Sequence, residues 1–320
     1  MSIISTDIKK AVRLLDSDDV VAIPTETVYG LAANIYSSTG IKKIFQVKKR
    51  PLYNPLIAHV DTIAKVEEIV LDFPTKARKL AEAFWPGSLT LVLKKNKKVP
   101  DLITAGKDTV AVRIPNHNVT LALLRELDYP LAAPSANPFG NISPTNATHV
   151  ESYFENDIPM VLDGGACKNG IESTIVGFEN NNAVIYRFGA ISIEDIVDVI
   201  GPVAIRNKEE KTPAAPGMLG RHYAPRTKTY LVKNIDTFLE EHKKEKVGII
   251  KFSEDMKISE NQHLEILSKE GDLKEAASIL YHTLHRMDKL DLDIIVAELF
   301  PNEGLGKSIN DRLERATKSE

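Results

Sequence analysis

The sequence predicts an α/β protein with a large twisted-sheet domain followed by a small Rossmann-like C-terminal domain. Three observations carry this. Short β-rich runs alternate with helical patterns up to about residue 205. There the composition shifts: the charged run Lys208 to Lys211 is followed by Pro213, Pro216, Gly217, Gly220 and Pro225, which reads as an extended linker. A second α/β pattern then begins. A length of 320 residues also suits two domains of ~100–200 residues each. The predicted divisions are 1–205, a linker over 206–227, and 228–320.

Taken in order, Ile8 to Leu15 has helical spacing and Val20 to Pro24 reads as a strand. Ser38 is a candidate cap for a helix reaching Lys48. Leu56 to Val60 is a strand, Thr75 to Phe84 a helix, and Leu89 to Leu93 and Val110 to Ile114 are strands. Asn118 to Leu127 is helical, Thr174 to Val176 and Ala183 to Phe188 are strands, and Ile193 to Ile200 is helical. The order gives no clean βαβ repeat, so a simple parallel sheet is not expected here. Beyond the linker, strands are expected at Thr229 to Val232, Val247 to Phe252 and Asp293 to Phe300, and helices at Thr237 to Lys244, Leu273 to Met287 and Ser308 to Ala316. That alternation suggests a small doubly wound domain.

A hydrophobic fraction of 43% and a charged fraction of 27% are ordinary for a soluble globular protein. The net charge of −3 carries no global nucleic-acid footprint. The single cysteine, Cys167, excludes a disulfide scaffold or a thiolate metal cluster and fits a reducing compartment. No apolar run reaches the ~18 residues that a membrane span needs, and Met1 to Asp19 lacks an apolar signal core, so a cytoplasmic protein is expected.

Several polar stretches stand at predicted strand or helix ends. Pro24 to Leu31 runs from a strand into a polar turn, where Thr25 and Thr27 either hold a ligand or satisfy the local backbone. Lys48-Lys49-Arg50-Pro51, followed by Asn54-Pro55, places three cations at a helix end. They either complement the helix dipole or grip a polyphosphate, Arg by its fork and Lys as a point charge. His59 closes an apolar strand. Thr109 and Arg113 stand four apart on one strand face, and Arg113 needs there an anion or an acid partner. Ala133-Pro134-Ser135-Ala136-Asn137, Ser143-Pro144-Thr145 (a candidate cap for the next helix), Glu172-Ser173-Thr174 and Arg187 repeat the strand-exit arrangement. Trp85-Pro86-Gly87 reads as a turn with an aromatic core anchor, and no metal-ligand spacing is present. Pro301 to Ser308 is similar to a phosphate-binding loop, but Pro301 stands where glycine is required and Glu303 places negative charge beside the phosphate.

In chain order, Thr25 to Leu31, Lys48 to Pro51 with Asn54 to His59, Trp85 to Thr90, Val112 to Pro115, Ala133 to Asn137, Glu172 to Val176, Arg187 with Gly189, Pro216 to Met218, His222 to Pro225, and Gly304 to Gly306 with Ile309 to Leu313 resemble the threonylcarbamoyl-AMP synthase family. The likeness is to its long form, a YrdC-like catalytic domain with a C-terminal accessory domain. Lys49 stands where glycine is common, Pro138-Phe139 replaces a small polar pair, and Ala215 replaces serine; these departures would tune affinity.

The resemblance implies a nucleotidyltransferase that joins L-threonine, bicarbonate or CO₂, and ATP into threonylcarbamoyl-AMP and diphosphate for tRNA modification. It implies Mg²⁺ accompanying ATP, a double-stranded RNA or tRNA contact, and a threonylcarbamoyl transferase that takes the product. It assigns Thr27, His59, Arg113, Ala133 and Ser173 to threonine, and Arg50, Asn54, Thr109, Ser135, Ser143, Arg187 and Tyr223 to ATP. Lys48 and Arg50 would carry the catalytic charge neutralisation, and residues 213–225 would cover the site as a lid. Two rivals stand beside this reading, an RNA-binding module and a carbamoyl-transfer module of hydrogenase maturation. The latter normally carries cysteine-rich zinc fingers, which one cysteine argues against.

Overall fold

Apolar spacing and side-chain caps decide most of the elements. The computed structural model describes residues 3–180, 182–207, 220 and 222–318. Strand β1 (Ile4–Ser5) leads to helix α1 (Ile8–Asp16), whose buried Ala11 and Leu15 stand four apart on one face and whose first turn is capped by Asp7. β2 (Val21–Ile23) and β3 (Gly30–Asn34) form an antiparallel pair. α2 (Ser38–Lys48) is capped by the Ser37 side chain, one residue before the expected Ser38, and ends at Lys49 in the left-handed conformation.

β4 (Ile57–His59), α3 (Ile63–Ile69), α4 (Thr75–Phe84), β5 (Leu89–Lys94), α5 (Asp101–Thr104), β6 (Thr109–Arg113), α6 (Asn118–Arg125) and β7 (Leu131–Ala132) follow. Then come α7 (Ala147–Phe154), β8 (Val161–Leu162), β9 (Thr174–Glu179), β10 (Asn182–Arg187), α8 (Ile193–Ile200) and β11 (Ala204–Ile205). The expected caps Ser143 and Thr145 do not start α7; the Asn146 side chain does.

These strands make one 11-stranded sheet in the order β1-β8-β2-β3-β7-β4-β6-β5-β9-β10-β11. It is mixed: β4–β6 and β5–β9 are parallel, whereas β4–β7, β5–β6 and β9–β10 are antiparallel. That mixture explains the missing βαβ rhythm. Register sets the functional side chains. His59 lies opposite Arg113 on one side and Leu131 on the other, so three strand ends converge. The core below is built from Leu31, Ile44, Leu91, Val112, Val176 and Ile185, all essentially without exposure.

The second sheet has the order β12-β15-β13-β14, from β12 (Lys228–Val232), β13 (Val247–Lys251), β14 (Gln262–Ile266) and β15 (Ile294–Glu298), all parallel. Alternate residues point to opposite faces. Val247, Ile249, Ile294 and Val296 cover α9 (Ile235–Glu241), while Ile250, Ile295 and Ala297 pack with α10 (Leu273–Met287) and α11 (Gly306–Thr317). Helices on both faces make this the doubly wound fold that the sequence predicts.

The two sheets share a seam. Val28, Ile142, Ile171 and Tyr223 belong to the same apolar cluster as Leu280, Tyr281 and Leu313. The loop that is similar to a phosphate-binding loop serves this seam: Lys307 Nζ pairs with Glu194 at 2.6 Å, and Ser308 Oγ donates to the Gly189 carbonyl at 2.8 Å. Gly170 packs tightly against α10 at this seam. Its φ is +67°, and a Cβ there would lie 2.0 Å from the Ser278 carbonyl oxygen of α10. Of the linker, residues 208–219 and 221 lie outside the described residues, including the run Lys208 to Lys211 and Met218.

Gly170→Ala adds both backbone strain and a seam clash, and is expected to lower stability by ~1–3 kcal/mol. Thermal unfolding reads it directly. An unchanged melting temperature would show that the seam gives way without cost.

Candidate active site

Where the strand ends meet the seam, a cavity of about 50 Å³ gathers most of the expected site residues. Thr27 comes from the turn between β2 and β3, His59 and Arg113 from the ends of β4 and β6, and Ala133 and Ser135 from the exit of β7. Arg50, Ser173, Arg187 and Tyr223 line the same space. Residues up to 196 positions apart are thus held by sheet register and one covering segment, here Thr27 to Tyr223.

One end is built around Arg113. It is 4% exposed, donates from Nη1 to Thr27 Oγ1 at 2.9 Å and from Nε to the Gly87 carbonyl at 3.1 Å. Nη2 stands 2.7 Å from Glu26 Oε1 as an ion pair, but without a well-directed hydrogen bond. The acid partner that a buried Arg needs is therefore present, and the fork still has N–H groups to offer. Burial alone would raise the Glu26 carboxyl; the Arg113 charge and hydrogen bonds more than offset this and hold it below the usual range. His59 sits beside this pair with Nδ1 3.1 Å from the Ile57 carbonyl oxygen. Burial, reinforced by Arg113, pushes its pKa down to about 3, so it is a neutral hydrogen-bonding ring.

The other end is a cluster of buried cations. Arg50 donates to the Asn54 carbonyl at 3.2 Å and to the Pro55 carbonyl at 2.7 Å. Lys48, 1% exposed, donates to the Ser135 carbonyl at 2.6 Å and to the Asn137 carbonyl. Arg187 holds the Ser173 carbonyl at 2.8 Å and its hydroxyl at 3.0 Å. These bonds go to neutral oxygens. Burial and then Arg187 push the Arg50 pKa down to about 9, and burial and then Arg50 hold Lys48 well below its usual value. An anion between these cations would relieve that cost.

Polar groups with no protein partner surround the same end. The Tyr223 hydroxyl, His222 Nδ1, Asn137 Oδ1 and both amide atoms of Asn54 are buried and make no hydrogen bond within the described protein. Buried groups of this kind each call for a partner. His222 and Tyr223 roof the cavity: the Tyr223 backbone has φ +63°, and Ala224 N–H donates to the Gly140 carbonyl at 2.9 Å.

Four expected residues stand off the lining. Lys48 and Asn54 are fully buried, and Lys48 reaches the carbonyl of the lining residue Ser135. Ser143 is also fully buried, with Oγ donating to Glu172 Oε1 at 2.6 Å. Thr109 begins β6 opposite Lys94, half-buried and roughly 13 Å of strand from Arg113. His222 belongs to the expected covering segment 213–225, whereas Glu26 and Glu172 receive no role from the sequence, although each sits inside a quoted motif. Their partners lie far away in sequence, so no local signal identifies them. Cys167 is buried, and its thiol is pushed up to about 12 by that burial, in keeping with an inert role.

No group of three or more His, Cys, Asp or Glu among the described residues is arranged to hold a metal ion. The one carboxylate in the cavity lining, Glu172, is already engaged by Ser143, Tyr281 and Arg312. Among the described residues, the lining therefore offers Mg²⁺ no carboxylate that is not already engaged.

Known proteins share both the sequence and the fold of this chain. Residues 13–189 match the Sua5/YciO/YrdC model, described as "Telomere recombination", and residues 191–317 match the model "Threonylcarbamoyl-AMP synthase, C-terminal domain". The threonylcarbamoyl-AMP synthase of Bacillus subtilis is 38% identical over 319 residues, 97% of this chain and 92% of that protein. That of Pyrococcus abyssi is 38% identical over 325 residues, 97% of this chain and 94% of that protein. The crystal structure of P. abyssi Sua5 complexed with L-threonine has a TM-score of 0.91 to this chain, at 38% identity, covering 97% of this chain and 94% of that one. With both family models in order along one polypeptide and curated relatives matched over nearly their full length, the chain belongs to the threonylcarbamoyl-AMP synthase family.

Proposed function

We propose that the chain is a nucleotidyltransferase that condenses L-threonine, bicarbonate or CO₂, and ATP into threonylcarbamoyl-AMP and diphosphate. The observation that carries this reading is one cavity with an Arg fork at one end and buried, carbonyl-bound cations at the other. An amino acid carboxylate suits the first and a polyphosphate the second. The names of the relatives and the threonine in the P. abyssi structure supply the substrates.

In this reading the threonine amine takes up CO₂ as a carbamate. A carbamate oxygen attacks the α-phosphorus, the bond to the β-phosphate oxygen breaks, and diphosphate leaves with its electron pair. Neither step calls for a protein nucleophile. What the site supplies is proximity of two anions and positive charge at the leaving group. Thr27, His59, Arg113, Ala133 and Ser173 are assigned to threonine. With His59 neutral, the carboxylate is met by Arg113. Arg50, Ser135, Arg187 and Tyr223 are assigned to ATP, with Lys48 neutralising charge from behind. For Asn54, Thr109 and Ser143 an ATP contact rests on the family resemblance, joined for Asn54 by its unpaired amide. Mg²⁺ would arrive on the phosphates of ATP.

The catalytic part is taken as 1–205, the cover as 206–227 and the accessory part as 228–320. His222 and Tyr223 over the cavity support the covering role, which keeps water from a labile carbamate and mixed anhydride. The product would pass to a threonylcarbamoyl transferase for tRNA modification in the cytoplasm, and an RNA contact belongs to the same proposal.

Purified chain supplied with ATP, L-threonine and bicarbonate is expected to release diphosphate and threonylcarbamoyl-AMP in equal amounts. ATP turnover that does not depend on threonine would sink the reading. Arg113→Lys keeps the charge but not the fork, and is expected to weaken threonine binding by ~1.5–3 kcal/mol while ATP binding changes much less. Calorimetric titration separates the two ligands; equal losses would make Arg113 a purely structural partner of Glu26. Arg50→Ala is expected to cut turnover at least ~10-fold. Its melting temperature should shift little, because the lost carbonyl bonds are offset by relief of repulsion with Arg187. Normal turnover with a large loss of stability would assign Arg50 to the fold alone.

A further inference from the structure

Arg312 heads the fully buried side chains by volume, and it belongs to α11 of the second sheet's layer, not to the strand ends that build the cavity. Its guanidinium reaches across the seam. Nε donates to Glu172 Oε2 at 3.0 Å, Nη2 to the Phe188 carbonyl at 2.7 Å, and Nη1 to Asp311 Oδ2 at 2.8 Å. Its Cζ also lies 5.0 Å from the centre of the Tyr223 ring, against which Tyr281 stacks at 5.6 Å. Tyr281 in turn donates its hydroxyl to Glu172 Oε2 at 2.9 Å.

Two features make this more than packing. First, Glu172 lines the cavity beside Arg187 and Ser173, where a polyphosphate is proposed to sit. A bare carboxylate there would repel that ligand and compete for the cations. Second, Tyr223 holds a left-handed backbone conformation, which a bulky residue keeps only when its surroundings fix it. The Arg312 guanidinium and the Tyr281 ring are what fix the side chain from the seam. Both depend on the same buried charge. The Glu172 carboxyl, which burial would raise, is held below its usual range, with the Arg312 charge as the first opposing cause.

We propose that Arg312 is a positioning residue for the nucleotide end of the site: it neutralises Glu172 from behind and braces Tyr223, so that the C-terminal part completes the ATP pocket as well as covering it. This rests on the synthase reading above. Ser143 fits the same arrangement, since its hydroxyl is oriented by the other oxygen of Glu172. Threonine is met at the Arg113 end, and its assigned contact Ser173, although next to Glu172 in the chain, is held through its hydroxyl by Thr90 and Arg187 and not by Arg312.

The test compares the parent, Arg312→Met and the double variant Arg312→Met/Glu172→Gln in adenylate synthesis, with KM measured for ATP and for threonine separately. Met removes the charge and keeps much of the volume, and Gln removes the stranded carboxylate while keeping its hydrogen-bonding shape. Arg312→Met is expected to raise KM for ATP at least ~10-fold and to leave KM for threonine within about threefold. The double variant is expected to recover at least ~3-fold of that rise, the remainder reflecting the lost brace on Tyr223. Parallel rises in both KM values, an unchanged KM for ATP, or a double variant that recovers its melting temperature but not its ATP affinity would each overturn the proposal. If Arg312→Met does not fold, the double variant carries the test, and a folded double variant without ATP affinity refutes it. A parent chain that makes no adenylate overturns the synthase reading instead, and calorimetric ATP binding to the same three proteins then still decides the role of Arg312.

Discussion

Buried positive charge is the constraint on which the rest of this structure depends. Lys48, Arg50 and Arg187 are each at most 7% exposed, and their named hydrogen bonds go to uncharged oxygens. Such an arrangement costs free energy in the protein alone, because burial and mutual repulsion both act against the charged forms. It is tolerable because each cation is tied to carbonyls that the fold cannot release: the exit of β7 for Lys48, the loop before β4 for Arg50, and the start of β9 for Arg187. The Arg113 end follows the opposite rule. There a carboxylate, Glu26, balances the charge, and what remains is directional hydrogen-bonding capacity. One cavity thus combines a directional end, where Glu26 pairs with Arg113, and an end crowded with buried cations, where Glu172 lies beside Arg187.

Holding this arrangement takes both sheets. The 11-stranded sheet sets which side chains converge, through the registers of β4 with β6 and β7. The helices packed on the 4-stranded sheet contribute their side of the apolar cluster, and their Tyr281 and Arg312 engage Glu172 across the seam and back the roof at His222 and Tyr223. The close approach at Gly170 and the contacts of Lys307 and Ser308 show the second unit docked intimately, not tethered loosely.

Much of the fold is legible in the sequence where the periodic signal is long. Thr75–Phe84, Ile193–Ile200 and Leu273–Met287 are helices over the very residues that the spacing marks out. The elements without advance notice are the short or weakly patterned ones. β7 and β8 have two residues each, and β14 (Gln262–Ile266) mixes polar and apolar residues, every one of them only partly buried. Caps slipped for a related reason: neighbouring Ser37 and Ser38, or Thr145 and Asn146, are chemically alike, and only geometry chooses between them. In the site, Thr27, His59, Arg113, Ser173 and Arg187 stand at strand ends and could be picked out there. Glu172 and Arg312 could not, because their meaning lies in a contact across 140 residues. For Arg113, the choice between a structural acid partner and an anion site has no sequence signature, and the structure holds the former while leaving N–H groups for the latter.

The central claim, that the buried cations are kept for a polyanion, is tested most directly by thermal unfolding in inorganic pyrophosphate against sodium chloride of equal ionic strength. A ligand that binds only the folded chain adds roughly 2.7 kcal/mol of stability at a hundred times its dissociation constant. The account predicts a melting temperature that rises with pyrophosphate concentration, and a rise that is lost in Arg50→Ala. A melting temperature that does not depend on pyrophosphate, in a chain that is otherwise folded, would contradict it.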